Sequence, residues 1–365
     1  MLDTEQIVSL LMSMVRIDSE SGREEEFIRY LKTLLEKAFN AECERDSFGN
    51  LVVRVPPLNS KRKIPVLFGV HADTVSPGRD IKPYLEDGVI RSRGDTILGS
   101  DDKAGIAELI CALQQARRRP PVEILVTREE EVGLKGSKNA DLTKLRARFG
   151  FVIDGSDLDT IVIGGPSHIM MDVAVQGRSA HAGMRPEQGI SALEVVARAM
   201  TSLCLGRVDD ESTCNVGTLR GGTARNGVPE MAFLEAECRS LNHEKCEGLA
   251  RQMRSAFESA ARYAGASVQI SQELCYRASS LHESHDLVQY ALAAVRSVGL
   301  VPKVASITGG TDALILTDRG IDAVVVGMGN NGAHTTEEHI TTNSLKKGKA
   351  IVGHLLDSLA MCSPR

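Results

Sequence analysis

The residue types that could do chemistry in this 365-residue chain are histidines and carboxylates at the ends of apolar runs. His71 closes the run 64–70, Glu131 follows 122–126, Asp154 ends 150–154, His334 comes after 321–327, and Asp101 opens an amphipathic segment. Two imidazoles and three carboxylates suit zinc, and a pair of ions roughly 3.5 to 4 Å apart needs a carboxylate shared between them. Asp101 is the natural bridge. Asp73 stands two residues beyond His71, where the period of a strand lets its carboxylate reach the same side and hold the second imidazole nitrogen. A lone histidine after a strand is usually a surface residue, and a run of glutamates is usually a solvated turn. Five such groups in corresponding places argue instead for one shared site.

The elements that must position them follow from periodicity. Residues 1–40 read as two helices, the second over 22–39 with Phe27, Ile28, Leu31, Leu34 and Leu35 at helical spacing. Strands are expected at 51–55, 64–70, 122–126, 150–154 and 321–327, and Asp87-Gly88 marks a hairpin turn within 84–93. The segment 102–116 is a helix with Ile106, Leu109, Ile110 and Leu113 on one face, stopped by Pro120-Pro121. Strands alternating with helices predict a doubly wound α/β sheet, whose ligand crevice lies beyond the carboxyl ends of the strands. From about residue 168 the pattern changes. Strands at 169–176, 212–219, 230–239 and 267–274 and helices at 189–205 and 243–264 follow the ferredoxin-like order. This predicts a catalytic domain in two parts, 1–166 and 279–365, interrupted by an inserted α+β domain over 167–278.

Composition excludes several classes. A hydrophobic fraction of 42% and a charged fraction of 25% are those of a folded globular protein. A net charge of -5 with mixed signs offers no nucleic-acid face, and Arg117-Arg118-Arg119 sits at a helix end, where it complements the dipole. The eight cysteines are scattered without a Cys-x-x-Cys pair and read as reduced space fillers. The first twenty residues lack the pattern of a signal peptide, and no long apolar run spans a membrane, so a reducing cytoplasm is expected.

The stretches VLFGVHADTV, ILGSDDKAGIAELI, LVTREEEVGLKGS, FVIDGS, VQGRSAHAGMRPEQGISA and NNGAHTTEEHI occur in this order over nearly the whole chain. Together they resemble the dinuclear zinc exopeptidases, the family that includes peptidase T, aminoacylase and glutamate carboxypeptidase. The resemblance implies a zinc-exopeptidase catalytic domain with a lid and dimerisation domain inserted in it. It implies two divalent ions, zinc with cobalt or manganese as alternatives. Asp101 would bridge them, with His71 and Asp154 completing one site and Glu131 and His334 the other. It further implies a cis bond between Asp101 and Asp102. Glu130 would be the catalytic base that takes a proton from the attacking water and returns it to the leaving amine.

Three consecutive glutamates also allow Glu129 and Glu130 as base and ligand; anchoring on Glu-Glu-Val-Gly selects Glu130 and Glu131. The resemblance nominates His181 as oxyanion donor, delivered from the lid of a homodimer partner. It matches Arg239, Asn226 and the loop Gly309-Gly310-Thr311-Asp312 to substrate contacts. His168, His243, His282, His285, His339 and His354 match no ligand motif and read as structural or exposed. The implied activity is removal of the N-terminal residue of short peptides. A deacylase acting on N-acyl amino acids would need the same metals and base and is the alternative. A zinc-dependent binding protein would lack the base or a ligand, and none is missing.

Overall fold

The computed structural model describes residues 2–361; Cys362, counted above among the reduced cysteines, lies outside them. The chain divides into two compact units, one of Met1–Gly164, Ser280–Ser306 and Gly310–Arg365, the other of Gly165–Ser279 with Ile307–Gly309.

In the first unit, the strands Val66–His71 and Val122–Thr127 are buried at every position. That is what continuous apolar runs at the centre of a helix-covered sheet require. The sheet runs Glu42–Arg45, Leu51–Val55, Val122–Thr127, Val66–His71, Phe149–Gly155, Asp322–Gly327, Thr160–Gly165. Its middle four strands are parallel. The sheet is mixed, because Leu51–Val55 and Thr160–Gly165 join antiparallel on either side of those four. The helices Leu2–Val15 and Thr342–Met361 pack against Ser100–Gln115, which is buried from Asp102 to Leu113. A core of Phe27, Leu31, Phe68, Phe151, Ile110 and Leu355 runs between helices and sheet.

A small antiparallel sheet of Asn330–Asn331, His339–Thr341, Val89–Ser92 and Pro83–Glu86 completes this unit. Its hairpin turns at Asp87 and Gly88 with φ of 48° and 76°, as an Asp-Gly turn demands.

The second unit is an antiparallel sheet ordered Gly206–Asp209, Ser212–Gly221, Met231–Ser240, Ser167–Gln176, Ser267–Tyr276. It carries the helices Ala192–Thr201 and His243–Ala264. This is the ferredoxin-like order with one added edge strand. Strand Met231–Ser240 alternates buried and more exposed positions, burying Ala232, Leu234, Ala236 and Cys238 against the helices. The first helix is shorter than 189–205 because Ser191 caps it, accepting from the Glu194 N–H. Cys214, Cys238 and Cys246 are free thiols in this core. Among the described residues no helix is long and apolar enough to cross a membrane.

Candidate metal centre

Parallel strands in register bring their carboxyl ends to one edge, and His71 pairs with Thr127 at that edge. Asp154 lies near the end of the neighbouring strand Phe149–Gly155, and Glu131 follows Thr127 after a short turn. Asp101 sits in non-helical backbone at the start of Ser100–Gln115, and its peptide bond to Asp102 is cis. His334 occupies the tip of the loop between Asn330–Asn331 and His339–Thr341, with φ of 64°.

These side chains converge on the Asp101 carboxylate. His71 Nε2 is 3.2 Å from Asp101 Oδ1 and 3.6 Å from Asp154 Oδ1. On the other side His334 Nε2 is 3.5 Å from Asp101 Oδ2 and 3.1 Å from Glu131 Oε2. The two oxygens of Asp101 thus serve different imidazoles. His71 Nδ1 lies 3.0 Å from the Asp73 carbonyl, so that nitrogen donates and Nε2 is the one that faces inward, toward Asp101 and Asp154.

The Asp73 carboxylate does less for His71 than expected, at 3.5 Å from Nδ1. It accepts instead from the N–H groups of Glu130 and Glu131, at 2.9 and 3.2 Å, and from the Ser21 hydroxyl. Glu24, held by Arg128, accepts the Glu129 N–H. Three successive backbone donors of the glutamate run are therefore bound by buried carboxylates. The run turns rather than extends: Glu129 has φ of 51°, and its side chain leaves to pair with Lys135. Glu131 is the glutamate beside His334.

The electrostatics are those of a cluster short of positive charge. Burial raises the Glu130 carboxyl well above its usual range, and the Asp154 charge adds to this. Burial likewise pushes Asp154 up to about 7. Hydrogen bonds to Asp101 and Glu131 raise His334 to about 10. One ligand atom each of His71, Asp101 and Glu131 lies within 4.8 Å of the others. Glu131 Oε1 is buried with no hydrogen-bond partner. An inward-facing imidazole nitrogen, a carboxylate shared by two imidazoles and an orphaned carboxylate oxygen fit a pair of divalent cations.

The remaining candidates are placed as follows. In the second unit, the Ala182 N–H donates to the Asn226 carbonyl and His181 bridges Gly227, so His181 and Asn226 share one exposed loop pair. His181 Nδ1 accepts from the N–H groups of Gly183 and Met184, which puts its proton on Nε2. Arg239 is half-buried and held by Glu237, which also receives His168 Nε2 at 2.8 Å. In the first unit Thr311 is 3% exposed, and its hydroxyl caps the helix Asp312–Asp318, accepting from the Ala313 N–H; Gly310 beside it is half-buried. Sequence reasoning passed over Ser21, Glu24 and Glu338, whose half-buried hydroxyl and two buried carboxylates support the loops of this centre. Glu338 lies within the stretch NNGAHTTEEHI, and Ser21 and Glu24 lie in the polar turn before the second helix; polar residues in such places are shared by any solvated turn.

A profile of Peptidase family M20/M25/M40 matches residues 67–358. The chain is 31% identical over 372 residues to the uncharacterized protein YqjE of Bacillus subtilis (strain 168), covering 99% of this chain and 100% of that one. It is similar to the solved aminopeptidase PepT from Bacillus cereus ATCC 10987, with TM-score 0.90 and 32% identity over 98% of this chain and 99% of that one. A tripeptidase structure from Staphylococcus aureus subsp. aureus mu50 matches with TM-score 0.93 and 31% identity, over the same shares of the two chains.

Proposed function

The chain belongs to Peptidase family M20/M25/M40 and is a metal-dependent exopeptidase; from that premise we propose that it removes the N-terminal residue of short peptides at a dinuclear zinc centre with Glu130 as general base. The observation that carries this reading is the Asp101 carboxylate, with one oxygen toward His71 and the other toward His334. Asp101 would bridge the ions, His71 and Asp154 holding one and Glu131 and His334 the other. When bound, the ions supply Lewis acidity at the scissile carbonyl and lower the pKa of water.

Glu130 takes the water's proton and returns it to the leaving amine. Burial raises its pKa above the usual carboxylate range, the direction that favours a base which must later act as an acid. Asp73 keeps Glu130 and Glu131 in place through their backbone N–H groups. His181, whose Nδ1 accepts two backbone N–H groups and leaves Nε2 as the donor, would donate to the developing oxyanion. We assign it to the partner's centre in a homodimer joined through the ferredoxin-like unit, acting as a lid. Arg239, Asn226 and the Gly310 backbone would contact the peptide, while Thr311 shapes that loop as a cap. Scattered cysteines support a reducing, cytoplasmic setting.

The test is hydrolysis of tripeptides against N-acyl amino acids by the purified protein, with metal content measured on the same sample. Faster turnover of the acyl substrates would replace the peptidase with a deacylase. A protein holding no metal at full activity would overturn the centre itself.

A further inference from the structure

Glu338 is 2% exposed, although it belongs to the loop region that presents half-exposed His334. Its carboxylate crosses to the segment that carries Asp101. Oε2 accepts from the Gly99 N–H at 2.7 Å. Oε1 accepts from the Ser100 N–H at 2.8 Å, the Ser100 hydroxyl at 2.6 Å and the Asp101 N–H at 3.1 Å. Four donors on three consecutive residues saturate one carboxylate. Gly99 has φ of 67°, a left-handed conformation that turns these N–H groups toward one point.

The other end of Glu338 is tied equally closely to His334. The Glu338 N–H donates to the Thr335 carbonyl, and the Thr335 N–H donates to the Gly332 carbonyl, so the loop is a tight tip. Its flanking strands are paired in the small antiparallel sheet, which removes slack from the base. Asp101 and His334 are therefore joined by Glu338 through backbone on both sides, independently of the contact between their side chains. His71 and Asp154 stand on adjacent strands of the large sheet, and His71 meets the Asp101 segment through its own N–H, which donates to the Asp102 carboxylate at 3.1 Å, rather than through Glu338.

Resting on the dinuclear reading above, we infer that Glu338 is a positioning residue that sets the spacing between Asp101 and His334 and so governs affinity for the ion on the His334 side. A carboxylate that only capped a helix start would stabilise the fold without distinguishing the two ions. One that sets ligand spacing acts on the ion whose ligands it joins. Partners of this kind, one bond removed from a ligand, change metal affinity by tens of fold when lost.

The experiment is stepwise titration of the metal-free, full-length protein with Co2+, read by calorimetry and by the visible Co2+ spectrum. Wild type, Glu338→Gln and Ser100→Ala are compared, with thermal unfolding of each metal-free protein alongside. Glutamine turns an N–H donor toward the Gly99 N–H, so one clamp bond is replaced by a repulsion. The expected result is a weaker second dissociation constant in Glu338→Gln by about 10- to 100-fold, an altered spectrum for the second ion, and a first constant close to wild type. Ser100→Ala, which keeps the three backbone donors, should show the same selectivity with a smaller loss, and it carries the test if Glu338→Gln does not fold. Equal weakening of both ions, or a lowered unfolding midpoint with both constants unchanged, would overturn the inference while leaving the dinuclear centre standing. A wild-type protein that takes up no Co2+ would overturn both.

Discussion

His71 and His334 approach the same carboxylate from surroundings that could hardly differ more. His71 ends a central strand with its side chain 2% exposed, whereas His334 is 52% exposed on a loop tip. The first is held by sheet register and by the Asp73 carbonyl, the second by a tight turn. Rigidity and dryness on one side, access on the other, predict a tightly kept ion and a more readily exchanged one. Ligands on strands lose little freedom when an ion binds, and buried charges attract more strongly than exposed ones.

The sharpest way to break this comparison is to remove what the two halves share. Asp101→Ala should leave neither ion bound after dialysis and no measurable peptidase activity; full occupancy of either half, by metal analysis, would show that Asp101 does not bridge. Next in size is the base. Glu130→Gln should keep both ions and lose about 10²- to 10⁴-fold in turnover. Glu129→Gln should stay near wild type, because Glu129 points to Lys135. The reverse pattern would shift the register by one residue.

The asymmetry itself is tested by His334→Ala, which should bind one ion with near wild-type affinity, and by limited chelation of the wild type, which should strip one equivalent well before the other. Simultaneous loss of both would erase the distinction. The smallest effect concerns the helix behind the shared carboxylate. Lys103 is fully buried, its ammonium donating to the Ile17 carbonyl, and burial lowers its pKa from 10.5 to about 7. Between those values the unfolded chain binds a proton that the folded one does not. Stability of the metal-free protein should therefore rise with pH from about 7 to 10.5 through this group. In Lys103→Met that contribution to the slope of denaturation midpoint against pH should vanish; an unchanged slope would mean that Lys103 stays charged in the fold.

Much of the frame was legible because it rests on local pattern. Alternation in 169–176 and continuous apolarity in 122–126 report which faces are buried, and a strand's end is marked where that pattern stops. His71, Glu131, Asp154 and His334 could be placed at one edge for that reason. The strands Glu42–Arg45 and Lys303–Ser306 and the helix Asp312–Asp318 are too short for their period to stand out from a loop, while Thr160–Gly165, as long as Val122–Thr127, ends in Gly-Gly and runs straight into the next strand, which hides its boundary.

By itself, then, the sequence determined the longer elements of both units, which residues stand at their ends and the chemical kind of site those residues could build. Tertiary structure alone decided how the backbone at that site is held. Asp73 stands 3.5 Å from the imidazole nitrogen where it was expected, and it also binds the N–H groups of Glu130 and Glu131, 57 and 58 residues away, which was not; Glu338 reaches Asp101 across 237 residues. Periodicity is a property of neighbours along the chain and carries the face a side chain buries. A carboxylate's choice among backbone donors depends on which loops meet after the sheet has closed, and a buried acceptor takes whichever unpaired N–H groups the fold brings to it.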